Sequence, residues 1–180
     1  MALYIDSTYF FGILQVPNLG DTANAANFAA ILTKYEKTFL KKFFGYEFAQ
    51  VLIAEYALPI PTARAVGIVE GGTFTDGEGI TRTWQGLKND DKESPLANYV
   101  YFFWQKINVT KTMQAGESIQ LTENSVRVNP SAKVTAVYNE MVKMGKELEC
   151  YLYYKKDVYP ELEKHIIPSS LLTTINAFDI

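Results

Sequence analysis

The chain has 180 residues, enough for one domain with a substantial core. Hydrophobic residues make up 48% and aromatics 14%, which excludes a disordered chain. The formal charge of −3 gives no global attraction to nucleic acid or anionic membranes, although a locally basic face stays open.

A single cysteine, Cys150, excludes an intramolecular disulfide framework and an all-cysteine metal site. Its place at the apolar end of a helical stretch reads as a buried thiol. A single histidine, His165, cannot build a His-rich zinc centre or a catalytic triad, and reads as structural or merely exposed. The leading segment MALYIDSTYFFGILQVPNLG lacks a basic start, and Asp6 interrupts its apolar run, so it is a poor signal peptide. No uninterrupted stretch of about 18 apolar residues occurs, and no membrane span is expected. Asn108-Val109-Thr110 matches a glycosylation sequon only by chance in a protein expected to stay in a reducing cytoplasm.

Residues 1–20 read as an arm. Tyr4, Phe10, Phe11, Ile13 and Leu14 are too apolar to dangle in water, and Pro17 and Gly20 close a short strand or extended strap. Residues 21–158 then read as a helical core. A first helix is expected over Thr22–Phe44, capped by Asp21 or Thr22 and stopped by Gly45. Phe28, Ile31, Leu32, Tyr35, Phe39 and Phe43 recur at helical steps, with Lys34, Lys37, Lys41 and Lys42 elsewhere. A second helix runs from Tyr46 to Leu58 before Pro59 and Pro61.

From Ala65 to Trp84 the period changes. β-Branched residues flank Asp76-Gly77-Glu78-Gly79, which predicts a hairpin insertion near 65–84. The glycines lack the lysine and spacing of a phosphate loop and read as turn residues. Ser94-Pro95 opens a third helix in the favoured cap-then-proline manner. Leu96, Tyr99, Val100, Phe103, Trp104 and Ile107 give it a wide apolar face. Tyr101 and Phe102 fall off that face, so the helix is central or contacted by a neighbour.

Residues 109–128 alternate weakly around Ala115-Gly116 and read as a second hairpin or an extended arm. Asn129-Pro130 then starts a long helix reaching about Lys156, with Val134, Val137, Tyr138, Met141, Gly145, Leu148 and Leu152 along one side. Residues 159–180 form a tail that must bury Leu171, Leu172, Ile175 and Phe178. The expected fold class is therefore mainly α: a bundle of about four helices with one or two β-hairpin or extended-arm insertions.

Chemistry is sparse. The carboxylates lie in mixed-charge helix surfaces or loops, and no nucleophile elbow, HExxH or EF-hand pattern is present. No catalytic, cofactor or metal residue is assigned. The aromatics could stack nucleobases, but their helical spacing favours core packing. Lys37, Lys41 and Lys42 could touch a phosphate backbone, but without aromatic interleaving they read as a solvated face. The apolar termini remain. In a monomer they fold back on the bundle; in an oligomer they lie on adjacent subunits, which is the preferred expectation.

Four segments, KYEKTFLKKFFGYEF (34–48), GTFTDGEGITRTWQGL (72–87), SPLANYVYFFW (94–104) and TENSVRVNPSAKVTAVYNEMV (122–142), carry a resemblance in order and texture. Together they resemble the head–tail connector, or adaptor, proteins of the neck of tailed phages and related prophages. The resemblance implies a non-enzymatic virion protein, made in the host cytoplasm and placed at the head–tail interface. It further implies a ring homo-oligomer, a dodecamer, bound beneath the portal protein and offering a platform to other neck and tail proteins. Double-stranded DNA then passes through the channel without sequence-specific binding, and no membrane or cofactor takes part. The expected subunit or partner interface comprises Tyr4, Phe10, Phe11, Thr112, Gln114, Glu117, Ile119, Leu171, Leu172, Ile175 and Phe178, with residues 70–80 also reaching across subunits. Truncation after Pro168 is expected to leave the bundle folded while weakening assembly.

The alternative is a small helical ligand-binding or regulatory protein. It requires an aromatic-lined pocket of a few hundred Å3 built from residues such as Tyr99, Phe103 and Tyr138. An enzyme of unrecognised type would need converging polar side chains in such a pocket.

Overall fold

The computed structural model describes residues 4–109, 111–113, 116–118, 131–162 and 165–176. The protein is mainly helical, as expected, with two small antiparallel hairpins among the described residues. Helix α1 spans Thr22–Phe44. The Asp21 carboxylate accepts from the amides of Ala23 and Asn24, each at 3.0 Å, satisfying two of the donors a helix start leaves open. At the other end Gly45, at φ 79°, turns the chain directly into α2, Tyr46–Tyr56.

The sequence reading misses α3, Ala63–Val69, and takes its β-branched residues for the start of a hairpin. Two local features win instead. Thr62 caps the helix by accepting from the Ala65 amide at 3.3 Å, and the i, i+3, i+4 set Ala65, Ile68 and Val69 is buried on one face. The hairpin proper comprises β1, Gly72–Thr75, and β2, Thr81–Trp84, with Gly72 opposite Trp84 and Thr75 opposite Thr81. Its turn is the expected Asp76-Gly77-Glu78-Gly79 cluster. One Asp76 oxygen accepts from the Glu78 and Ile80 amides, both at 2.9 Å, while the other faces Arg82 at 2.5 Å. These contacts hold the Asp76 carboxyl below its ordinary range, Arg82 contributing most.

The hairpin is fixed to α3 by backbone contact. The Trp84 indole donates to the Ile68 carbonyl at 2.9 Å, and the Lys88 amide to the Val69 carbonyl at 2.7 Å. Gly86, at φ 92°, lies against the backbone of Val69–Gly71, and a Cβ there would meet main-chain atoms at 2.6–2.8 Å. Only glycine fits that crossing.

Helix α4 spans Pro95–Val109, opened by Ser94. The buried Ser94 hydroxyl donates to the Leu87 carbonyl at 2.6 Å and accepts from the Leu96 amide at 3.2 Å. Helix α5 spans Ser131–Tyr154, ending two residues short of the expected Lys156. α4 packs between α1 and α5, which explains its apolar circumference: Tyr101 and Phe102, off the main stripe, are buried too. Tyr35 stacks on Phe103 at 4.5 Å, Phe39 meets Tyr99 edge-on at 5.3 Å, and Phe102 meets Tyr138 at 4.6 Å.

Between α4 and α5, β3 (Lys111–Met113) pairs with β4 (Gly116–Ser118), Thr112 opposite Glu117. The rest of the expected 109–128 excursion, beyond the end of α4 at Val109, lies outside the described residues.

Both arms fold onto their own chain. The N-terminal arm is a strap of two 3-10 turns, Ser7–Tyr9 and Gly12–Leu14, not a strand. The tail crosses α5 and includes a 3-10 turn at Ser169–Leu171. Tyr4, Phe10 and Leu171, expected at a subunit boundary, are covered by their own chain. They are 7%, 5% and 3% exposed within a single chain, because the bundle itself leaves apolar surface that the arms cover. Cys150 is half-buried, not buried as expected. His165 is structural: its Nε2 donates to the Phe43 carbonyl at 2.9 Å, and the ring packs over Gly45.

Candidate functional site

Two polar side chains hold the arms. Glu36 falls inside the apolar stripe of α1, between Leu32 and Leu40, and is fully buried. Its Oε1 accepts from the Tyr4 amide at 2.6 Å and the Ile5 amide at 3.2 Å, clipping the N-terminal strap to the helix. Asn139 of α5 does the same for the tail: Nδ2 donates to the Ile175 carbonyl at 3.0 Å and Oδ1 accepts from the Ile175 amide at 2.9 Å. The Tyr138 hydroxyl adds a bond to the Ser170 carbonyl at 2.9 Å. Neither Glu36 nor Asn139 was singled out from sequence. For Glu36 the available signal was a charged residue at a position where the apolar period demands a hydrophobe.

The Arg64 guanidinium ties three segments together. It forks onto Glu55 of α2 and reaches Glu161 of the tail at 2.7 Å, holding both carboxyls below their ordinary range.

Surface clefts lie elsewhere among the described residues. One, about 800 Å3, lies between the β1–β2 hairpin and α5; Arg82, Lys143, Lys146 and Glu147 line it beside Phe74 and Cys150. The second, about 450 Å3, is formed by the end of α5 and the tail, with exposed Tyr153 and Ile166 on its walls. The third contains the three residues expected for an aromatic pocket. Tyr99, Phe103 and Tyr138 do share a cleft, but its volume is about 150 Å3, below what a ligand-binding protein of the expected kind requires. Ring-on-ring packing fills the remaining space.

The other expected interface residues divide. Phe11 is 57% exposed, Leu172 and Ile175 are half-buried under the tail's own contacts, and Thr112 and Glu117 face each other in register across β3–β4. Gln114, Ile119 and Phe178 lie outside the described residues. Within 70–80, Phe74 is buried and Ile80 is exposed. Among the described residues no cluster of His, Cys, Asp or Glu has metal-site geometry, and no helix is long and apolar enough to cross a membrane. Comparison with known proteins gives no match to this chain, whether by family model, by curated sequence or by solved structure.

Proposed function

We propose that this chain is a structural virion protein, a head–tail connector that assembles as a ring beneath a portal protein and docks further neck or tail components. The role is architectural and non-catalytic, with DNA passing through the ring without base-specific contact. The observation that carries the reading is the β3–β4 hairpin. It lies in the connection between α4 and α5, which pack on each other, and its two strands pair in register. A helical base with a paired-strand excursion between two of its helices suits a subunit that reaches across a boundary. Phe11 and Ile13, each 57% exposed on one turn of the strap, add apolar contact surface on the outside of the clipped arm.

The burial of Tyr4, Phe10 and Leu171 relocates the proposed contact. The arms brace the subunit, and the hairpin with the outer face of the strap meets the neighbour. Mass photometry of the chain mixed with a portal protein from the same genome tests this. A ring-sized complex is expected for the native chain, and its loss is expected when residues 111–118 are replaced by a Gly-Ser linker of equal length. A native melting temperature in the replaced variant separates loss of assembly from loss of folding. A native chain that never associates with portal protein under assembly conditions overturns the role; a complex indifferent to the hairpin replacement overturns the hairpin's part in it.

A further inference from the structure

The groove between the end of α5 and the tail, about 450 Å3, is of a size that receives side chains of another molecule. Apolar side chains dominate its lining, Phe43, Leu152, Leu162 and Ile167 among them. His165, also in the lining, is committed to the Phe43 carbonyl. Two more lining residues, Tyr153 and Ile166, are 68% and 87% exposed. Exposed hydrophobes scattered singly need no account. Here two of them border one apolar groove, so a hollow and protruding side chains occur on the same patch.

The second observation is the order of charges along the α5 wall of that groove. Glu149, near the end of α5, and Lys156, just past it, both line the groove and are exposed. Between them the chain stays helical enough for the Lys155 amide to bond the Tyr151 carbonyl at 3.1 Å. Among the described residues neither Glu149 nor Lys156 forms an ion pair. Steps of three and four put Glu149, Leu152, Tyr153 and Lys156 on one face, with the two charges about 10 Å apart. Leu152 and Tyr153 stand at the midpoint. The order negative, apolar, positive is self-complementary. Turned about a two-fold axis through that midpoint, a second copy brings its lysine to Glu149 and its glutamate to Lys156. An unrelated protein would have to supply this pattern; another copy of the chain already carries it.

We propose that this groove and the α5 face beside it form the contact between two copies of the chain, packed antiparallel about a two-fold axis. Tyr153 of each copy enters the groove of the other, and two Glu149–Lys156 pairs flank it. The contact is isologous, so it closes at a dimer. It uses neither the β3–β4 hairpin nor the N-terminal strap, and it stands independently of the connector role.

The test is sedimentation velocity of the full chain over a concentration series, at low ionic strength where exposed pairs are least screened. A reversible monomer–dimer equilibrium with no larger species is expected. Glu149→Lys and Lys156→Glu each set like charges against one another at both ends of the contact, and each is expected to raise the dimer Kd about tenfold. Glu149→Lys/Lys156→Glu restores opposite signs and recovers association, and so does an equimolar mixture of the two single variants. That rescue cannot come from a change in folding. Tyr153→Ala, at an exposed position, keeps the native melting temperature while weakening the dimer by a similar factor, about tenfold. A chain that stays monomeric up to about 1 mM overturns the proposal and leaves the groove to a different partner. A dimer indifferent to the single charge reversals, or not rescued by the double reversal, places the contact elsewhere and overturns it. Growth past the dimer without a plateau means a head-to-tail contact and overturns it as well.

Discussion

Glu36 carries an ionisable group at zero exposure in the centre of an apolar helix face, a placement that is strongly unfavourable unless the carboxylate is well satisfied. Its two amide partners, Tyr4 and Ile5, lie in the strap, so helix and strap satisfy each other. Removing the carboxylate strands two buried N–H groups. Glu36→Ala is therefore expected to lower stability by about 2–4 kcal/mol, with Glu36→Gln in between because it keeps an acceptor oxygen. Urea denaturation measures the loss, and hydrogen exchange at the Tyr4 and Ile5 amides should accelerate first. Equal stability of the alanine variant would show that the strap is held by its apolar side chains alone. The contrast with Asp21 and Ser94 explains what sequence can reveal at this scale. Those caps bind amides two or three residues away, so their chemistry is written locally. Glu36 and Asn139 bind backbone more than thirty residues distant, and nothing within their own helices names the partner.

At the scale of elements, α1, α2, α4 and α5 were legible because each combines a 3.6-residue apolar period with a cap or a proline. α3 was not: its β-branched residues favour a strand locally, and burial of Ala65, Ile68 and Val69 decides otherwise. The tail shows a similar limit. Its hydrophobicity announced burial but not against which surface. With Leu171 in the core, Leu172 packed over Gly145 and Ile175 clipped by Asn139, the tail is part of the bundle's covering. Truncation after Pro168 is consequently expected to destabilise the monomer by about 2–4 kcal/mol, the cost of one leucine-sized burial and the lost hydrogen bonds. This reverses the expectation of an intact bundle with impaired assembly. Circular-dichroism melting of the truncated chain decides, and an unchanged midpoint would return the tail to an assembly role.

Across the whole molecule the core is bound together by tyrosines as much as by aliphatic side chains, and this gives the fold a particular sensitivity to alkali. Burial raises the phenol pKa of Tyr4, Tyr9, Tyr99, Tyr138 and Tyr159, and raises that of Tyr56 to about 12. The Glu36 carboxylate adds to the effect at Tyr4, and the Glu70 carboxylate at Tyr56. The unfolded chain releases these protons near the ordinary value of about 10. Below that pH the phenols are neutral in both states and their contribution to stability is complete. Above it the unfolded state binds fewer protons than the folded one, so stability falls as pH rises, and continues to fall toward the folded-state pKa values. The groups sit on α2, α4, α5, the N-terminal arm and the tail, so ionising any of them strains several elements together. Tyrosinate absorbance from the buried rings is thus expected to appear in one cooperative step above pH 10, coincident with loss of helical circular dichroism and reversible on neutralisation. Gradual ionisation of the same rings with the helical signal intact would mean that the arms open independently and expose their tyrosines without unfolding the bundle.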